Sequence, residues 1–340
     1  MWSHDTAKKP AKLYSFRAAF FIVILLASGL LFGMAEGLTR LLWGDRINLQ
    51  YTTRHLFQKG FYAANTNGWV PHATGSCAGA RVTINALGLR GPEINLRAKE
   101  EKILLLGDSV LFGPSVEEQE TIAELLRASL QACIVNAAVI GHNTSDYVEV
   151  LRYWKQKTAL ARAVVFLCLN DVQNDTSTVQ DLTLTKNLNR LLAQLRAHSK
   201  FYMLLKNTVS DRSQVYFSHD QQFYQPHDAR FQQAIKDLAV MQALCSEMNV
   251  RFDVVLLPYE YQLRNSTQPG VWSPQELLQE QVRALKINCL AIDFSSFYGS
   301  RSKELYLYAD GIHLSKLGHQ LVAEQVSRYL GPVGYSTKIF

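Results

Sequence analysis

From residue 98 onward, short apolar runs alternate with longer amphipathic stretches, and this alternation restricts the possible folds more than any other feature of the chain. Strands that are separated by helices need crossover connections, which produce a parallel sheet covered by helices on both faces. The apolar run VVFLCL is typical of a strand buried on both faces. We predict strands at 103–106, 134–137, 164–169, 252–257 and 290–294, and helices at 121–131, 145–157, 229–248, 274–285 and 316–330.

Length and composition agree with a folded domain of this class. The 340 residues are enough for one sizeable domain or two small ones. Apolar residues make up 48% of the chain and charged residues 19%, which is below the usual share of charged residues and indicates a packed core. The net charge of +6 is spread along the chain without a basic block after residue 60, so nucleic-acid binding is not expected.

The N-terminal segment has the pattern of a membrane anchor. As a helix with about 1.5 Å per residue, the uncharged run at 18–35 would be about 27 Å long, close to the roughly 30 Å hydrocarbon core of a bilayer. The residues before the run that place the N-terminus in the cytoplasm are Lys8, Lys9, Lys12 and Arg17. A cleavable signal peptide is the alternative, but its apolar region is shorter, about 7 to 15 residues, and ends at a cleavage site with small residues.

These features divide the chain into five segments. We expect a cytoplasmic tail at 1–17 and a transmembrane anchor helix at 18–43 in a single-pass protein of the inner (cytoplasmic) membrane. An irregular lead-in at 44–97 then lies outside the cytoplasm, and its Gly, Pro, Asn and Thr content indicates that it packs on the domain that follows. That domain occupies 98–332, and a short C-terminal tail follows at 333–340.

The stretch at 173–228 interrupts the alternation of strands and helices within the domain. We predict one helix at 188–198, followed by a polar loop with the sequence NTVSDRSQVYFSHDQQFYQPHD.

The five cysteines do not form a metal-binding pattern. No CxxC pair occurs, so a zinc site is not expected, and we predict no other metal and no cofactor. An odd number leaves at least one thiol unpaired. Outside the cytoplasm one disulfide remains possible, and the sequence does not decide which two residues would form it among Cys77, Cys133, Cys168, Cys245 and Cys289.

Polar residues and a glycine follow the predicted strands at the points where the strands end. In an open parallel sheet, ligands bind at the carboxyl ends of the strands. Ser109 follows the first predicted strand, Gly141 the second and Asn170 the third. Asp310 and His313 come after the last strand, just before the C-terminal helix.

These side chains suit acyl transfer. The Ser109 hydroxyl needs a base to become a nucleophile, His313 is a candidate base, and Asp310 is placed to hold its ring. The tetrahedral intermediate carries an oxyanion, which needs preorganised N–H donors. The candidate oxyanion hole consists of the backbone N–H groups of Ser109 and Gly141 and the side-chain amide of Asn170.

Other polar residues near these positions receive structural interpretations. Asp108 and Asp171 are expected to brace their loops through backbone N–H groups, and His319 is expected on the surface. His142, directly after the oxyanion glycine, is a candidate to line the pocket. A metal site formed by Asp108, Asp171 and His313 is not expected, because their spacings are unrelated.

Four sequence blocks resemble those of the SGNH hydrolase superfamily, also called GDSL-type esterases, over about residues 98–332. The blocks are LLLGDSVLFG, NAAVIGHNTSD, LCLNDV and DGIH. The resemblance implies a three-layer α/β/α sandwich of flavodoxin-like type with a five-stranded parallel sheet. It also implies Ser109 as the nucleophile, Gly141 and Asn170 in the oxyanion hole, and Asp310 with His313 as its partners. The third block departs from the pattern, because Cys168 stands where the family usually has glycine.

The lead-in segment NALGLRGPEI resembles a segment upstream of the domain in membrane-anchored members, which are often linked to cell-surface polysaccharides. We interpret Arg90 in this segment as structural. The chain is therefore expected to be a membrane-anchored serine esterase or O-acyltransferase that faces the periplasm or cell exterior. Its expected substrate is an acyl ester, in the first instance an acetyl ester, of a cell-surface glycan.

Two alternatives to this interpretation stay open. One is a lipid-directed GDSL esterase that uses the same residues on long acyl chains. The other is a non-catalytic polysaccharide assembly factor that retains the fold. Whether water or a sugar hydroxyl accepts the acyl group also stays open, as do the oligomeric state and any protein partner.

Overall fold

The structure is a computed structural model that describes residues 11–44, 47, 56–130, 132–172, 185–209 and 211–331. It begins with one long helix, α1 (Ala11–Trp43). The part of α1 from Ala19 to Trp43 is long and apolar enough to cross a membrane, with a mean hydropathy of 2.2. A signal sequence near the N-terminus passes the same test of length and composition, so the function of α1 as an anchor stays a prediction.

The lead-in is more regular than we expected, because it forms two antiparallel hairpins. The first hairpin pairs β1 (Phe57–Ala63) with β2 (Thr66–Trp69), and the second pairs β3 (Thr74–Cys77) with β4 (Ala80–Thr83). Trp69 at the end of β2 is 1% exposed, and its indole N–H donates to the backbone oxygen of Ala138 at 2.8 Å. The lead-in is thus packed on the domain, as predicted, and it lies beside the loop after the second strand of the central sheet.

The core of the domain is a five-stranded sheet in which every pair of neighbours is parallel. Its strands are β5 (Lys102–Leu106), β6 (Cys133–Asn136), β7 (Arg162–Leu167), β8 (Arg251–Leu256) and β9 (Asn288–Ala291). The order across the sheet is β6-β5-β7-β8-β9. The chain therefore runs from β5 outward to β6 and then crosses back to the other side of β5, which is the flavodoxin-like order.

Helices cover both faces of the sheet and complete the predicted α/β/α sandwich. In chain order the helices after α1 are α2 (Ser109–Phe112), α3 (Ile122–Leu130), α4 (Thr144–Lys157), α5 (Thr185–His198), α6 (Lys200–Val209), α7 (Arg212–Asp220), α8 (Ala229–Glu247), α9 (Glu260–Arg264), α10 (Ser273–Ala284) and α11 (Lys316–Leu330). In one layer α3 packs against α11, and in the other α4 and α10 pack against α8.

The five predicted strands and the five helices predicted with them are all present, with ends that differ by a few residues. The largest differences concern the third and fifth strands, which end earlier than their apolar runs. Cys168 and Leu169, for example, are each 2% exposed although they lie beyond the end of β7. Burial continues past the strand into the loop, so an apolar run by itself does not show where the strand ends.

The polar loop predicted at 207–228 is wrong in large part, because the end of α6 and the whole of α7 lie in it. The helix predicted at 188–198 is confirmed as part of α5, whereas 173–184 lies outside the described residues. The helix α7 has a polar sequence, and tertiary contacts stabilise it. The ring of Phe217 stacks on Tyr261 with 5.0 Å between the centroids, and Asp211 caps the helix by accepting from the Gln214 N–H at 3.1 Å.

All five cysteines lie in the described part of the chain, and each of them is a free thiol. The disulfide that the sequence left possible is not formed. Burial raises the pKa of several of these thiols, that of Cys289 to about 11, which keeps them protonated and poorly reactive.

Candidate active site

Ser109 lies in the first turn after strand β5 of the central sheet. Gly107 precedes it in a bend with no room for a side chain, because a Cβ there would lie 2.8 Å from the Cβ of Leu111. Asp108 caps α2 by accepting from the Val110 N–H at 2.8 Å, which agrees with the predicted bracing of the loop. Ser109 is 7% exposed, so its hydroxyl lies at the rim of the sheet with little access to water.

Ser109, His313 and Asp310 form one hydrogen-bonded chain. The Ser109 Oγ lies 2.9 Å from the Nε2 of His313, and the Nδ1 of His313 lies 2.8 Å from the Oδ1 of Asp310. The Asp310 carboxylate accepts a hydrogen bond from the Nδ1–H of His313 and therefore favours the tautomer whose proton is on Nδ1. The Nε2 lone pair then faces the Ser109 hydroxyl, which is the arrangement that a general base requires.

The loop that carries Asp310 and His313 is closed by its own hydrogen bonds. The Oδ1 of Asp310 also accepts from the backbone N–H groups of Ile312 at 3.1 Å and His313 at 2.8 Å. Gly311 directly follows Asp310 and has φ +86°. A Cβ at this position would be 2.4 Å from the Cβ of Ser213 on α7. The loop therefore requires glycine at 311 for two reasons, the left-handed backbone conformation and the close approach of α7.

The charges around this loop shift the pKa values of Asp310 and His313 in the direction opposite to the effect of burial. Burial acts to raise the pKa of Asp310, but the charges of His313 and Arg212 together with two hydrogen bonds from His313 hold it well below its usual range. Burial likewise acts to lower the pKa of His313, and the charge and hydrogen bond of Asp310 outweigh it, so the pKa is raised. Arg212 approaches the second carboxylate oxygen of Asp310 to 3.7 Å. The pair thus favours an ionised acid beside an imidazole that readily takes up a proton.

The candidate oxyanion residues lie on the two loops next to Ser109. The loop after β6 is tied to the Ser109 turn, because the Val139 N–H donates to the oxygen of Gly107 at 3.1 Å. In this loop Gly141 has φ +83°, and a Cβ there would meet no described atom within 4 Å, which indicates an open approach. Asn170 follows β7, and its Nδ2 donates to the Oδ2 of Asp108 at 2.8 Å.

A tyrosine and an aspartate that our sequence analysis did not single out hold Asn170 from the other side. The hydroxyl of Tyr259 lies 3.0 Å from the Oδ1 of Asn170 and 2.6 Å from the Oδ2 of Asp220. Tyr259 and Asp220 are 0% and 3% exposed. Tyr259 comes three residues after the end of β8. Its position near a strand end was therefore a signal that could have found it. Asp220 had no such signal, because it lies in the stretch that we predicted as a polar loop.

Arg90 and His319 support the nucleophile helix from behind. The Arg90 guanidinium donates to the backbone oxygens of Phe112 and Gly113, both at 2.6 Å, and of Val116 at 2.5 Å. These contacts agree with the structural interpretation of Arg90. The prediction that His319 lies on the surface is wrong, because α11 packs against α3 and buries it completely. Burial, with the charge of Arg90, lowers the pKa of His319 to about 3, so the ring stays neutral.

His142 is 6% exposed and sits against the lead-in, with its Nε2 3.0 Å from the backbone oxygen of Asn67. Burial lowers its pKa despite the nearby acids Asp146 and Asp108, and the neutral ring leaves Nδ1 as an unpartnered acceptor among the described residues. A contact with substrate stays a prediction for this residue.

One group of three side chains in the described residues has the spacing of metal ligands, namely Asp108, Cys168 and Asp171, whose ligand atoms lie within 4.8 Å of one another. Asp171 accepts from the Cys168 N–H at 2.7 Å and from the Tyr147 hydroxyl at 2.9 Å. Asp108 already accepts from Val110 and Asn170. Burial also raises the pKa of Cys168 well above its usual value. This donor set is therefore used to brace the site, as predicted for the two aspartates.

Comparison with known proteins identifies the family of the domain. The model of the GDSL-like lipase/acylhydrolase family matches residues 105–321, which is more than half of the chain. The chain belongs to this family. GDSL-like acylhydrolases act on ester bonds, and the protein is a hydrolase of that class. No curated protein matches its sequence.

Solved structures that are similar to this acylhydrolase have low sequence identity. A lipase/acylhydrolase from Enterococcus faecalis is 18% identical, with 69% of this chain and 100% of that chain covered and a TM-score of 0.40. A member of the lipolytic protein G-D-S-L family from Veillonella parvula is 15% identical, with 66% and 96% covered and a TM-score of 0.36. An acetyl xylan esterase is 12% identical, with 68% and 100% covered and a TM-score of 0.44.

Proposed function

We propose that this acylhydrolase is a membrane-anchored serine esterase or O-acyltransferase that works through an acyl-serine intermediate. The observation that carries the proposal is the unbroken hydrogen-bonded chain from the Ser109 hydroxyl through His313 to Asp310, with distances of 2.9 and 2.8 Å. Two hundred residues separate the serine from the other two along the chain, so local sequence alone would not bring these groups together.

In the first half of the reaction, His313 Nε2 takes the proton of Ser109 as the Oγ attacks the ester carbonyl. The backbone N–H groups of Ser109 and Gly141 and the Nδ2 of Asn170 stabilise the oxyanion of the tetrahedral intermediate. Asp310 stabilises the imidazolium form of His313. The imidazolium then gives its proton to the departing alcohol, and the acyl group stays on Ser109.

In the second half, His313 acts as the base again. It takes a proton from water or from a sugar hydroxyl, and the resulting oxygen nucleophile attacks the acyl-serine. The proton returns to Ser109 as the ester bond breaks. Water gives hydrolysis and a sugar hydroxyl gives transfer, and both reactions use the same three side chains.

We further propose that the substrate is an acyl ester, in the first instance an acetyl ester, of a cell-surface glycan. The proposed arrangement has a cytoplasmic tail at 1–17, an anchor at 18–43, a lead-in at 44–97, a catalytic domain at 98–332 and a tail at 333–340. The length and hydropathy of α1 support an anchor. Positive residues before the span support a catalytic domain in the periplasm or outside the cell.

The catalytic part of the proposal is tested by labelling the full-length protein with a fluorophosphonate probe, which reacts with activated serines. We expect stoichiometric labelling of the native protein and none of Ser109→Ala. Thermal unfolding of both proteins checks that the variant is folded. A native protein that is folded and stays unlabelled would overturn the serine mechanism and favour a non-catalytic assembly factor.

The substrate class is tested separately with p-nitrophenyl esters of increasing acyl length and with an O-acetylated polysaccharide. We expect acetate release from the polysaccharide and a preference for the shortest p-nitrophenyl ester. A preference for long acyl chains would identify a lipid-directed esterase instead. Mass spectrometry of the protein from membranes tests the anchor, because an N-terminus cleaved after the apolar run would show a signal peptide.

A further inference from the structure

The helices α5 and α6 expose large apolar side chains on successive turns. Leu188 and Leu191 on α5 are 54% and 56% exposed, and Leu205 and Val209 on α6 are 49% and 85% exposed. Residues three or four apart lie on the same face of a helix, so each pair forms one apolar strip. We call these four side chains the α5–α6 face. An apolar surface of this kind usually marks a contact with a partner or a membrane.

The junction between these two helices is bound to α1 by a glutamate near the end of its apolar run. The Glu36 carboxylate accepts from the Ser199 hydroxyl at 2.8 Å and from the backbone N–H groups of Lys200 at 3.1 Å and Phe201 at 2.9 Å. These N–H groups belong to the first turn of α6, which has no partners for them within the helix. A side chain of α1 therefore caps α6, and its carboxylate receives three hydrogen bonds from this junction.

Further contacts extend along the same stretch of α1. The Arg40 guanidinium donates to the backbone oxygen of His198, the last residue of α5, at 2.7 Å. The ring of Phe32 packs edge-on against Phe201, with 5.7 Å between the centroids. Lys200 donates to the backbone oxygen of Gly44. The start of α6 is thus held to α1 from Phe32 to the helix end.

These contacts determine the depth of α6 if α1 spans a bilayer. Phe32 lies three residues before the end of the uncharged run at 18–35, which is about 4.5 Å along the helix. A residue that packs on Phe32 therefore lies at the outer edge of the hydrocarbon core. The α6 part of the face, Leu205 and Val209, begins one turn beyond Phe201, on the side where the polypeptide leaves the membrane.

We propose that the α5–α6 face rests in the outer interface of the lipid bilayer that holds α1. This inference rests on the anchor in the proposed function. The occupant is lipid because Leu205 and Val209 follow the part of α6 that packs on the membrane span, so the exposed apolar strip of α6 continues from that span.

The proposed contact would also determine where the active site lies. The helix α7 follows α6 closely, and through it Arg212 approaches Asp310 to 3.7 Å while Ser213 packs against Gly311. A cleft of about 390 Å³ runs from the C-terminal end of α6 to Asp310 and Gly311. With the α5–α6 face on the bilayer, the loop that carries His313 is held close to the membrane surface, where a membrane-borne glycan ester would be presented.

The inference is tested on the full chain in nanodiscs of phosphatidylcholine and phosphatidylglycerol. Single cysteines replace Leu205 and Val209 in a Cys289→Ser background and carry an environment-sensitive NBD label. Matched variants carry the label at Leu26, inside the apolar run of α1, and at Val240, an exposed residue of α8. Quenching is measured for each with lipids that carry a spin label near the glycerol level and with lipids that carry it near the end of the acyl chain, which reaches residue 26, together with fluorophosphonate labelling.

We expect quenching and a blue shift at 205 and 209, quenching at 26, and neither at 240. Quenching at 26 without quenching at 205 and 209 would overturn the interfacial contact and leave the anchor intact. A blue shift at 209 without quenching would mean that a protein, such as a second copy of the chain, covers the face, and would also overturn the proposal. Absence of quenching at 26 would overturn the anchor and with it this inference. Fluorophosphonate labelling reports the catalytic proposal independently of all these results.

Discussion

Deleting the hydroxyl of Tyr259 should lower kcat in a protein that still folds. In the native protein this hydroxyl lies 3.0 Å from the Oδ1 of Asn170, and the Nδ2 of the same amide is the proposed oxyanion donor. The hydroxyl has one proton, which it shares between two acceptors, Asn170 Oδ1 and Asp220 Oδ2. Tyr259→Phe removes this shared hydrogen bond and with it the contact that holds the amide from one side. The Asp108 contact at 2.8 Å remains, so the amide is loosened and not lost. Tyr259 is thus a positioning residue that acts through Asn170.

The contribution of an oxyanion donor gives the upper limit of the effect. Complete removal of one such donor lowers kcat by about 10²- to 10³-fold. Because Asn170 keeps one of its two fixing contacts, we expect a loss of about 10- to 100-fold in kcat. The oxyanion forms only in the transition state, so KM should change little. Initial rates of p-nitrophenyl acetate hydrolysis over a range of substrate concentrations give kcat and KM separately.

Tyr306→Phe is the matched control for this variant. The Tyr306 hydroxyl is also buried, and it donates to the backbone oxygen of Pro258 at 2.7 Å without contacting Asn170. Tyr306→Phe leaves one backbone oxygen unpaired and Tyr259→Phe leaves both Asn170 Oδ1 and Asp220 Oδ2 without the hydroxyl, at about 1–3 kcal/mol for a buried unpaired acceptor. Thermal unfolding should therefore show a loss of stability in both variants, and the larger loss for Tyr259→Phe. Only Tyr259→Phe should lower kcat. Equal kcat losses in both variants, or a kcat for Tyr259→Phe within about twofold of the native value, would refute the positioning of Asn170 by Tyr259.

Three further variants test the catalytic loop and its support. For the native protein, kcat/KM should fall as the pH decreases through the pKa of His313, and it should begin to fall at a higher pH than for a free imidazole, because the Asp310 charge raises that pKa despite burial. Asp310→Asn should move this fall to lower pH and reduce kcat by about 10⁴-fold in a pH–rate profile; an unchanged profile would contradict the Asp310–His313 pair. Arg90→Met, which leaves three backbone oxygens without their donor, should lower the free energy of unfolding in urea by about 1–3 kcal/mol for each oxygen left unpaired, and a total loss below about 1 kcal/mol would show that water replaces the guanidinium. Gly311→Ala should cost about 1–2 kcal/mol for its backbone conformation alone and more for the contact with Ser213, with a parallel loss of fluorophosphonate labelling; a fully labelled variant of native stability would show that the loop shifts without cost.

The positions of the candidate catalytic residues followed from sequence because they are tied to strand ends. Ser109, Gly141 and Asn170 each come within a few residues of an apolar run, and a parallel sheet brings the carboxyl ends of its strands to one edge. Asp310 and His313 are neighbours on one short loop, so their contact needs no long-range prediction. The order of the blocks along the chain then implied one site.

Contacts between residues from different parts of the fold were not accessible in this way. Tyr259 and Asn170 are 89 residues apart, and no local pattern links a tyrosine after one strand to an amide after another. For His319 the sequence led to a wrong prediction of exposure. Its spacing from His313 suggested a surface position, but burial is decided by the packing of α11 on α3, where its Nδ1 accepts from the Ile122 N–H at 3.2 Å.

Periodicity and turn chemistry along the chain were thus sufficient for the α/β/α sandwich, for the apolar N-terminal helix and for the five residues of the candidate site. These features depend on short-range rules, in which each strand buries its own apolar run and each turn needs its own glycine or cap. The hydrogen bonds of Tyr259, the helices α6 and α7, the buried His319 and the capping of α6 by Glu36 depended on the assembled molecule. Each of them arises where segments far apart in sequence pack together and exclude water. Which segments meet is decided by the packing of the whole domain and not by any local pattern.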